Sequence, residues 1–289
     1  MASGVLSAQD FLDFVGSLYS SAVPQRQARV DSFFNVNTQY PMIENDTTAI
    51  FLLKGAYGSV DLAGDMNGWQ TGIDALSNVS NTDMWFQLRN YPSNARLDYK
   101  FVADNAWILD PRNPNTVTGG YGPNSELAMP LYVQPWEIED RPGIPKGNLS
   151  SHTIQSTIMG TSYQVQVYLP PAYDTNATYP TAYFHDGQEY VSLANAQHIL
   201  DNLIDSNLIS PLIGVFVQPN NRNDEYAFGL RANYANFFSS ELVQWVDSRY
   251  ATRTDSATRA SIGASFGGNI SGYIVANHHD VFGMHGQHS

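Results

Sequence analysis

The strongest constraint on the fold is a change of hydrophobic period near residue 140. From about residue 36 to 134, alternating runs such as "AIFLLKG" and "RLDYKFVAD" are separated by Gly, Asn, Pro and Asp about every ten residues. Further along, apolar runs such as "TAYFHDG" and "LIGVFVQP" alternate with helical stretches at 189–205 and 234–249. Strands that alternate with helices form parallel sheets through crossovers, so the two halves need different architectures.

These patterns predict four segments. Residues 1–35 are helical, since Phe11, Phe14, Val15 and Leu18 share one helix face. Residues 36–136 form a β-sandwich, and residues 149–289 form a mostly parallel sheet with helices on both faces. Between them, "PWEIEDRPGIPKGN" holds three prolines and two glycines, which predicts a linker over 137–148.

Charge and composition exclude several classes of function. The chain has 14 Lys+Arg against 27 Asp+Glu, a formal net charge of −13, which disfavours nucleic acid and anionic membrane surfaces as partners. No run approaches the roughly 20 apolar residues of a membrane span. The absence of cysteine excludes disulfides and thiolate metal sites, and we expect no metal or organic cofactor.

The compartment is only weakly indicated. Uncharged polar residues (Asn, Thr, Ser, Gln and Tyr) outnumber charged ones, a balance typical of exported glycan-processing proteins. The start "MASGVLSAQDFLDF" has no basic flank and no apolar core. We therefore expect a secreted or periplasmic protein whose leader has been removed, with a cytoplasmic location as the alternative.

The stretch "RASIGASFGGNISG", residues 259–272, has the sequence of a nucleophile elbow. Gly263, Ser265 and Gly267 give the G-x-S-x-G spacing, with a strand-like "RASIG" before it and a helical "GNISGYIVANH" after it. Such a serine sits on a strained turn where flanking glycines let the neighbouring chain pass, and the helix N-terminus favours negative charge. The pattern predicts that Ser265 is a nucleophile; the alternative is an ordinary strand-to-helix turn.

A second candidate element is "YFHDGQEY", residues 183–190. An apolar strand ends there in a turn where glycine exposes backbone N–H groups. Acyl transfer needs two such donors on the oxyanion, one from Phe266 after the nucleophile and one from a loop of this kind. The alternative is a plain β-to-α turn.

Three stretches in the order of a known family carry a resemblance. They are "YPTAYFHDGQEY", "ELVQWVDSRYATRTDSATRASIGASFGG" and "HHDVFGMHGQHS". From about residue 148 the chain resembles the enterochelin esterase and esterase D group of α/β-hydrolases, which includes feruloyl and acetylxylan esterases and mycolyltransferases. The segments "VDLAGDMNGWQ" and "LDYKFVADNAWILDP" resemble the Ig-like, E-set sandwich module that precedes such esterases, a module akin to the carbohydrate-binding modules of glycogen-branching enzymes.

The resemblance implies roles for particular residues. Ser265 would be the nucleophile, and the backbone N–H groups of Phe266 and Gln188 would form the oxyanion hole, with Gly187 as the alternative to Gln188. The loop "NNRNDEYAFG", residues 220–229, resembles a family loop near the cleft, and we expect its Arg222 and Glu225 to be a pair that holds the loop. With the residues of the oxyanion loop and the last strand, the possible cleft residues are His185, Asp186, Arg222, Glu225 and His288.

The acid and the histidine of a triad are the main departure from the family. These hydrolases carry them after the serine, and the sequence stops at the end of the strand "VFGMHGQHS". We therefore expect both partners beyond residue 289. The alternative is a triad in unusual order through His288, the histidine at the end of that strand.

The resemblance implies a serine esterase whose substrate is a small-molecule or polysaccharide ester, with feruloyl or acetyl esters of carbohydrate ahead of a siderophore ester. The alternative is a non-enzymatic glycan-binding protein on a degenerate hydrolase scaffold.

Three tryptophans bear on glycan binding. Because Trp85 and Trp107 lie in strand-like segments, we expect them to face a core and only Trp69 to be exposed.

Overall fold

The computed structural model describes residues 8–120 and 122–288 and divides into two compact units, 1–134 and 135–289. The elements of the first unit are helices α1 (Ala8–Tyr19) and α2 (Val23–Val36), a 3-10 turn (Asp65–Asn67), and strands β1 (Met42–Glu44), β2 (Thr48–Lys54), β3 (Val60–Gly64), β4 (Ser77–Asn78), β5 (Met84–Asn90), β6 (Arg96–Ala103), β7 (Ala106–Ile108), β8 (Thr116–Gly119) and β9 (Gly122–Ala128).

Two antiparallel sheets share the core of the first unit. Their strand orders are β1-β2-β5-β4 and β3-β6-β9-β8, with β7 paired to β6. Phe51 and Leu53 of the first sheet pack with Leu62 and Phe101 of the second, while the other face of β2 packs on α1 and α2. Burial on both faces explains why "TAIFLLK" is a continuous apolar run. The Ig-like type of this unit stays a prediction.

Helices and strands alternate through most of the second unit. Its elements are strands β10 (Asn148–Ser156), β11 (Thr161–Leu169), β12 (Thr181–His185), β13 (Ile213–Val217), β14 (Arg259–Ala264) and β15 (Met284–His288), helices α3 (Gly187–Ser192), α4 (Ala196–Asp205), α5 (Arg222–Tyr226), α6 (Arg231–Asn236), α7 (Val243–Asp247) and α8 (Phe266–Asn277), 3-10 turns (Trp136–Ile138 and Ser256–Thr258) and a π-helical segment (Phe237–Leu242) between α6 and α7.

One six-stranded sheet organises this unit, in the order β10-β11-β13-β12-β14-β15. The pairs β10–β11 and β11–β13 are antiparallel, and the strands from β13 to β15 are parallel. This confirms the predicted sheet with helical crossovers. Because β12 and β14 are parallel neighbours, their carboxyl ends meet at one edge, where open α/β sheets bind ligands.

The boundary between the units differs from the expected linker over 137–148. The turn Trp136–Ile138 belongs to the second unit, because the buried amide of Asn202 on α4 donates hydrogen bonds to the carbonyls of Trp136 (3.3 Å), Glu137 (2.9 Å) and Glu139 (2.8 Å). Proline and glycine content shows that a segment is irregular. It does not show whether a distant amide holds that segment in place.

The burial of the tryptophan side chains agrees only in part with the prediction from the sequence. Trp85 packs in the core and donates from Nε1 to the Gly55 carbonyl at 3.1 Å, as expected. The expectations for the other two are wrong, since the Trp107 side chain is 47% exposed and Trp69, expected to be exposed, is half-buried. Strand β7 has three residues and pairs only with β6, so Trp107 lies on a short hairpin arm with little to cover it.

Within the described ranges, no helix is long and apolar enough to cross a membrane.

Candidate active site

Ser265 lies where β14 ends and α8 begins, at the carboxyl edge of the sheet. Its backbone angles are φ 54° and ψ −120°, a conformation that residues with a side chain rarely adopt. The Ser265 N–H donates to the His288 carbonyl at 2.8 Å, which ties the turn to the neighbouring strand β15. Strain of this kind persists only where the surroundings hold it, and it is concentrated at functional sites.

Close backbone packing explains the glycines around this turn. A Cβ on Gly263 would stand 2.3 Å from the carbonyl carbon of Gly267, so the start of α8 passes directly over the end of β14. A Cβ on Gly267 would stand 3.1 Å from a carboxylate oxygen of Asp186. The G-x-S-x-G spacing is therefore required by contact between backbones as well as by the turn itself.

Backbone N–H groups from two helix starts converge on the same edge of the sheet. Phe266 is the first residue of α8, and Gly187 and Gln188 are the first two of α3, which follows the neighbouring strand β12. First-turn N–H groups have no partner within their helix, and within the described residues none of these three has an acceptor. The assignment of Phe266 and Gln188 as oxyanion donors stays a prediction, with Gly187 as the alternative.

Gly187 is confined by its surroundings. It is buried, and a Cβ there would stand 2.3 Å from backbone atoms of Phe216 and Val217 on β13. This close approach fixes the start of α3 against the sheet, and thereby the direction of the N–H groups that follow.

Arg222 pairs with Asp186, so the predicted pairing with Glu225 is wrong. Its guanidinium donates to both carboxylate oxygens of Asp186 at 2.8 and 2.9 Å, and to the Ala264 carbonyl at 3.3 Å. The Asp186 side chain is 5% exposed, and its proximity raises the pKa of Arg222. Arg222 thus joins the residue before α3 to the residue before Ser265.

Glu225 is a buried structural residue and does not face a cleft. Its carboxylate accepts hydrogen bonds from the Tyr163 hydroxyl (2.8 Å) and from the backbone N–H groups of Asn220 (3.2 Å) and Asn221 (3.1 Å). Burial and the neighbouring carboxylate raise the pKa of Tyr163. Glu225 therefore closes the turn that precedes α5.

His185 is also buried, contrary to its expected place at the cleft. It is fully enclosed at the end of β12, where Nε2 lies 2.9 Å from the Ser261 hydroxyl and Nδ1 lies 3.3 Å from the Tyr234 hydroxyl. Burial lowers the pKa of His185 to about 3, so its imidazole is neutral at physiological pH. A histidine in this position cannot reach a substrate.

His288 lies beside the elbow through its backbone. It stands opposite Ala264 in the β14–β15 register, and its Nδ1 lies 2.9 Å from the Tyr190 hydroxyl. Burial and Asp186 raise the pKa of Tyr190 to about 12. No histidine side chain in residues 8–120 and 122–288 is hydrogen-bonded to the Ser265 hydroxyl.

Two exposed aromatic rings next to Ser265 were missed by the sequence analysis. Phe228 is 61% exposed and packs edge-to-face on Phe266, with ring centroids 6.2 Å apart. The Arg222 guanidinium lies 5.9 Å from the Phe266 ring. The only sequence signal was a single apolar residue, Phe228, beside Gly229 in a short loop outside any helical period.

A cavity of about 280 Å³ adjoins the loop that begins α3. Gln188 contributes one wall, and no charged side chain occurs among the described residues that line it. The other lining residues are Ser151, Gln164, Val165, Gln166, Phe216 and Gln218. Its chemistry suits a neutral group with hydroxyls. Over the described part of the chain, no group of three His, Cys, Asp or Glu side chains could hold a metal ion.

Comparison with known proteins agrees with this geometry. Residues 156–289 match the Esterase family ("Putative esterase"). The chain is 24% identical over 156 residues to "Uncharacterized protein YbbA" of Bacillus subtilis, which covers 49% of this chain and 59% of the relative. It is 22% identical over 300 residues to an "Endo-1,4-beta-xylanase/feruloyl esterase" of Xylanibacter ruminicola, covering 93% of this chain and 39% of the relative. The chain thus spans about half the length of these curated relatives.

Solved structures show the same fold. The enterochelin esterase of Shigella flexneri superimposes with a TM-score of 0.68 at 20% identity, over 89% of this chain and 74% of that chain. The ferric enterobactin esterase of Salmonella typhimurium superimposes with a TM-score of 0.69 at 18% identity, over 89% and 76%. Together with the sheet order, this likeness confirms the sheet with helical crossovers predicted for the second unit.

Proposed function

We propose that the second unit is a serine-dependent carboxylic-ester hydrolase with Ser265 as its nucleophile. One observation carries the proposal: Ser265 has φ 54° and ψ −120° between a buried strand and a helix, with Gly263 and Gly267 in backbone contact. That is the geometry of a nucleophile elbow, which exposes the serine hydroxyl above the sheet. The Esterase family match over 156–289, which contains the whole elbow, supports it.

In the proposed reaction, Ser265 Oγ attacks the ester carbonyl carbon while its proton passes to a general base. The carbonyl oxygen becomes an oxyanion, held by the N–H groups of Phe266 and Gln188 and by the positive ends of α8 and α3. Collapse breaks the bond to the alcohol, which takes the proton and leaves an acyl-serine. Water then attacks by the same path, which releases the acid and restores Ser265.

The general base and its acid are not assigned to residues of this chain. His288 is adjacent to the elbow, but its Nδ1 is engaged with Tyr190 and no contact joins its ring to Ser265 Oγ. The expectation that both partners follow residue 289 stays a prediction.

The surroundings of Ser265 favour an aromatic acyl group esterified to a neutral carbohydrate. Phe228 and Phe266 present exposed ring surface beside the nucleophile, and the cavity next to Gln188 is lined by amides and hydroxyls. A relative named as a feruloyl esterase is consistent with that choice. Acetyl esters lack the ring. The Arg222 guanidinium beside the elbow is already paired with both carboxylate oxygens of Asp186, which disfavours an anionic siderophore.

The substrate choice predicts a selective effect of Phe228→Ala. Hydrolysis or acylation by a cinnamoyl ester should slow about tenfold, the order expected for one lost aromatic contact, and reaction with p-nitrophenyl acetate should be unchanged. Leu208→Ala, at a similarly exposed apolar residue of the same unit, is the control. An equal loss on both esters would reject the aromatic acyl site.

Covalent labelling tests the nucleophile. A fluorophosphonate should label the full-length protein that carries the expected base, and Ser265→Ala should abolish labelling, while Ser240→Ala, which removes a partly exposed hydroxyl on the π-helical segment, should leave it intact. Labelling that survives Ser265→Ala would remove Ser265 from the mechanism.

A second candidate function, glycan binding by the first unit, is favoured by Trp69 and Trp107. Their rings lie 6.3 Å apart with an interplanar angle of 27°, and Trp107 is largely exposed. Asp65 Oδ1 accepts a hydrogen bond from Trp69 Nε1 at 3.0 Å, which fixes that ring. The exposed ring of Trp107, supported by Trp69 stacked on it, offers an apolar surface that a sugar face can cover. Such a role would accompany the hydrolase and fits the predicted export, which stays a prediction.

Retention on insoluble xylan, starch and cellulose tests this surface. The full chain should be retained on at least one of them, and Trp107→Ala should weaken retention about tenfold, the order expected for one lost aromatic contact. Leu131→Ala, an exposed apolar residue of the same unit, is the control. Equal retention of both variants would exclude the tryptophan pair as the binding surface.

A further inference from the structure

Four buried side chains form a continuous hydrogen-bonded group in the core of the second unit, which we call the polar hub: His185, Ser261, Ser271 and Tyr234. The Ser271 hydroxyl donates to Ser261 Oγ at 3.0 Å, His185 Nε2 lies 2.9 Å from the same oxygen, and His185 Nδ1 lies 3.3 Å from the Tyr234 hydroxyl. All four residues are fully buried.

The hub joins the elements that carry the two proposed oxyanion donors. His185 ends β12, three residues before Gln188. Ser261 lies on β14, four residues before Ser265, and Ser271 lies on α8, the helix that Phe266 begins. Tyr234 adds α6 to the group. The polar hub therefore links the oxyanion loop to both sides of the elbow without using a backbone hydrogen bond.

Aromatic rings enclose the hub and keep it uncharged. The His185 ring stacks on Phe238 at 4.4 Å and packs edge-on against Tyr226 at 5.4 Å. Because this shell excludes water, each polar group must find its partner inside, and losing one partner leaves the other unsatisfied. Apolar side chains would fill the same space without that requirement, so hydrophobic packing alone does not explain the hub.

We propose that His185 is a positioning residue whose bond to Ser261 sets the separation between the Gln188 and Phe266 N–H groups. This inference rests on the proposed function of Ser265. Its consequence is confined to the transition state, because the oxyanion is formed only there. Displacing a catalytic group by about 1 Å costs on the order of 100-fold in rate, and losing one oxyanion donor costs about 100- to 1000-fold.

Fluorophosphonate labelling of the full chain, resolved into binding and inactivation steps, provides the test. Ser261→Ala should lower the inactivation rate constant about tenfold with little change in the binding constant, and His185→Phe should lower it further, toward 100-fold. His185→Gln should recover much of the loss, since its amide can replace Nε2 as the partner of Ser261. Ser239→Ala is the matched control, because it removes a buried hydroxyl that donates to the Ala235 carbonyl one turn earlier and not to a residue of the hub.

Amide hydrogen exchange supplies a readout that does not depend on reactivity. Ser261→Ala should speed exchange in peptides covering 186–190 and 265–270, whereas Ser239→Ala should not. Equal effects of the two alanine variants on inactivation, or unchanged exchange at both segments in Ser261→Ala, would overturn the positioning role. Absence of labelling in a full-length protein that carries the expected base, together with the predicted exchange, would reject the proposed function and with it the catalytic meaning of the hub.

Discussion

Ser265 and Trp69 share an unusual backbone, with φ of 54° and 61° at residues that carry a side chain, but they are held in different ways. Ser265 is held by a distant residue, whose carbonyl (His288) accepts its N–H, and by the close contact between its neighbours Gly263 and Gly267, which packs the start of α8 over the end of β14. Trp69 is held within its own turn, by Asp65 on its indole and by its N–H on the Gly64 carbonyl at 2.9 Å.

This difference predicts how each of the two turns tolerates an amino-acid substitution. The elbow is strained and surrounded by backbone atoms, so a single added methyl group would clash with them. The tryptophan turn is strained but only half-buried, so a change there should free the Trp69 ring without disturbing a core. Strain at the elbow should therefore be coupled to folding of the whole second unit, whereas strain at Trp69 should be a local property.

The largest expected effect is that of Gly263→Ala. Its Cβ would meet the Gly267 carbonyl carbon at 2.3 Å, and we expect a destabilisation of about 3 kcal/mol or more in urea unfolding. Gly272→Ala on α8 is the control, since a Cβ there meets nothing within 4 Å and the change should stabilise by up to about 1 kcal/mol. Similar midpoints for the two variants would show that the elbow is not tightly packed.

The buried histidine gives a second, intermediate effect that depends on pH. Burial lowers the pKa of His185 to about 3, against about 6.5 in an unfolded chain, so its contribution is complete above pH 6.5 and is lost progressively toward pH 3. Between pH 7 and pH 5 this group should remove about 2 kcal/mol from the free energy of unfolding. His185→Gln should flatten that dependence.

Leu208→Ala, at an exposed apolar residue of the same unit, provides the control, because it removes no ionisable group and should leave the pH dependence of unfolding as it is in the wild type. Identical slopes for wild type and His185→Gln would mean that His185 binds protons equally in the folded and unfolded states, which would contradict its burial.

The smallest expected effect is at the tryptophan turn. Asp65→Ala removes the acceptor of Trp69 Nε1 and of the Asp98 N–H, and should cost about 1 kcal/mol while changing the fluorescence of Trp69. Asp61→Ala removes the same charge from strand β3 and should leave the fluorescence unchanged. A loss of several kcal/mol in Asp65→Ala would show that this turn is coupled to the core, as the elbow is.

The contrast between local and distant contacts also explains which features could be predicted from the sequence. The elbow and its flanking strand and helix could be predicted, because Gly263, Ser265 and Gly267 are neighbours in the sequence and their requirements are local. The partner of Arg222 could not: Glu225 is three residues away and Asp186 is thirty-six, and only the fold brings the latter within 2.8 Å. The burial of His185 likewise depends on rings from α5, α6 and the π-helical segment.

The exposure of Trp107 was mispredicted for a related reason. Alternation along "NAWILD" correctly indicates a strand, but it does not indicate which face is covered. Strand β7 has a partner on one side only, so its outward side chain stays in solvent. Alternation in the sequence predicts that a strand forms. Which face of that strand is exposed to solvent depends on the elements packed against it.

The central claim, that Ser265 is the residue acylated by an ester, can be tested by mapping the acyl group itself. The full chain is incubated with p-nitrophenyl acetate, quenched in acid, digested and sequenced by mass spectrometry. The account predicts an acetyl group on Ser265 in the wild type and its absence from that peptide in Ser265→Ala. Acetylation found only at other side chains, with the peptide containing Ser265 unmodified, would contradict it.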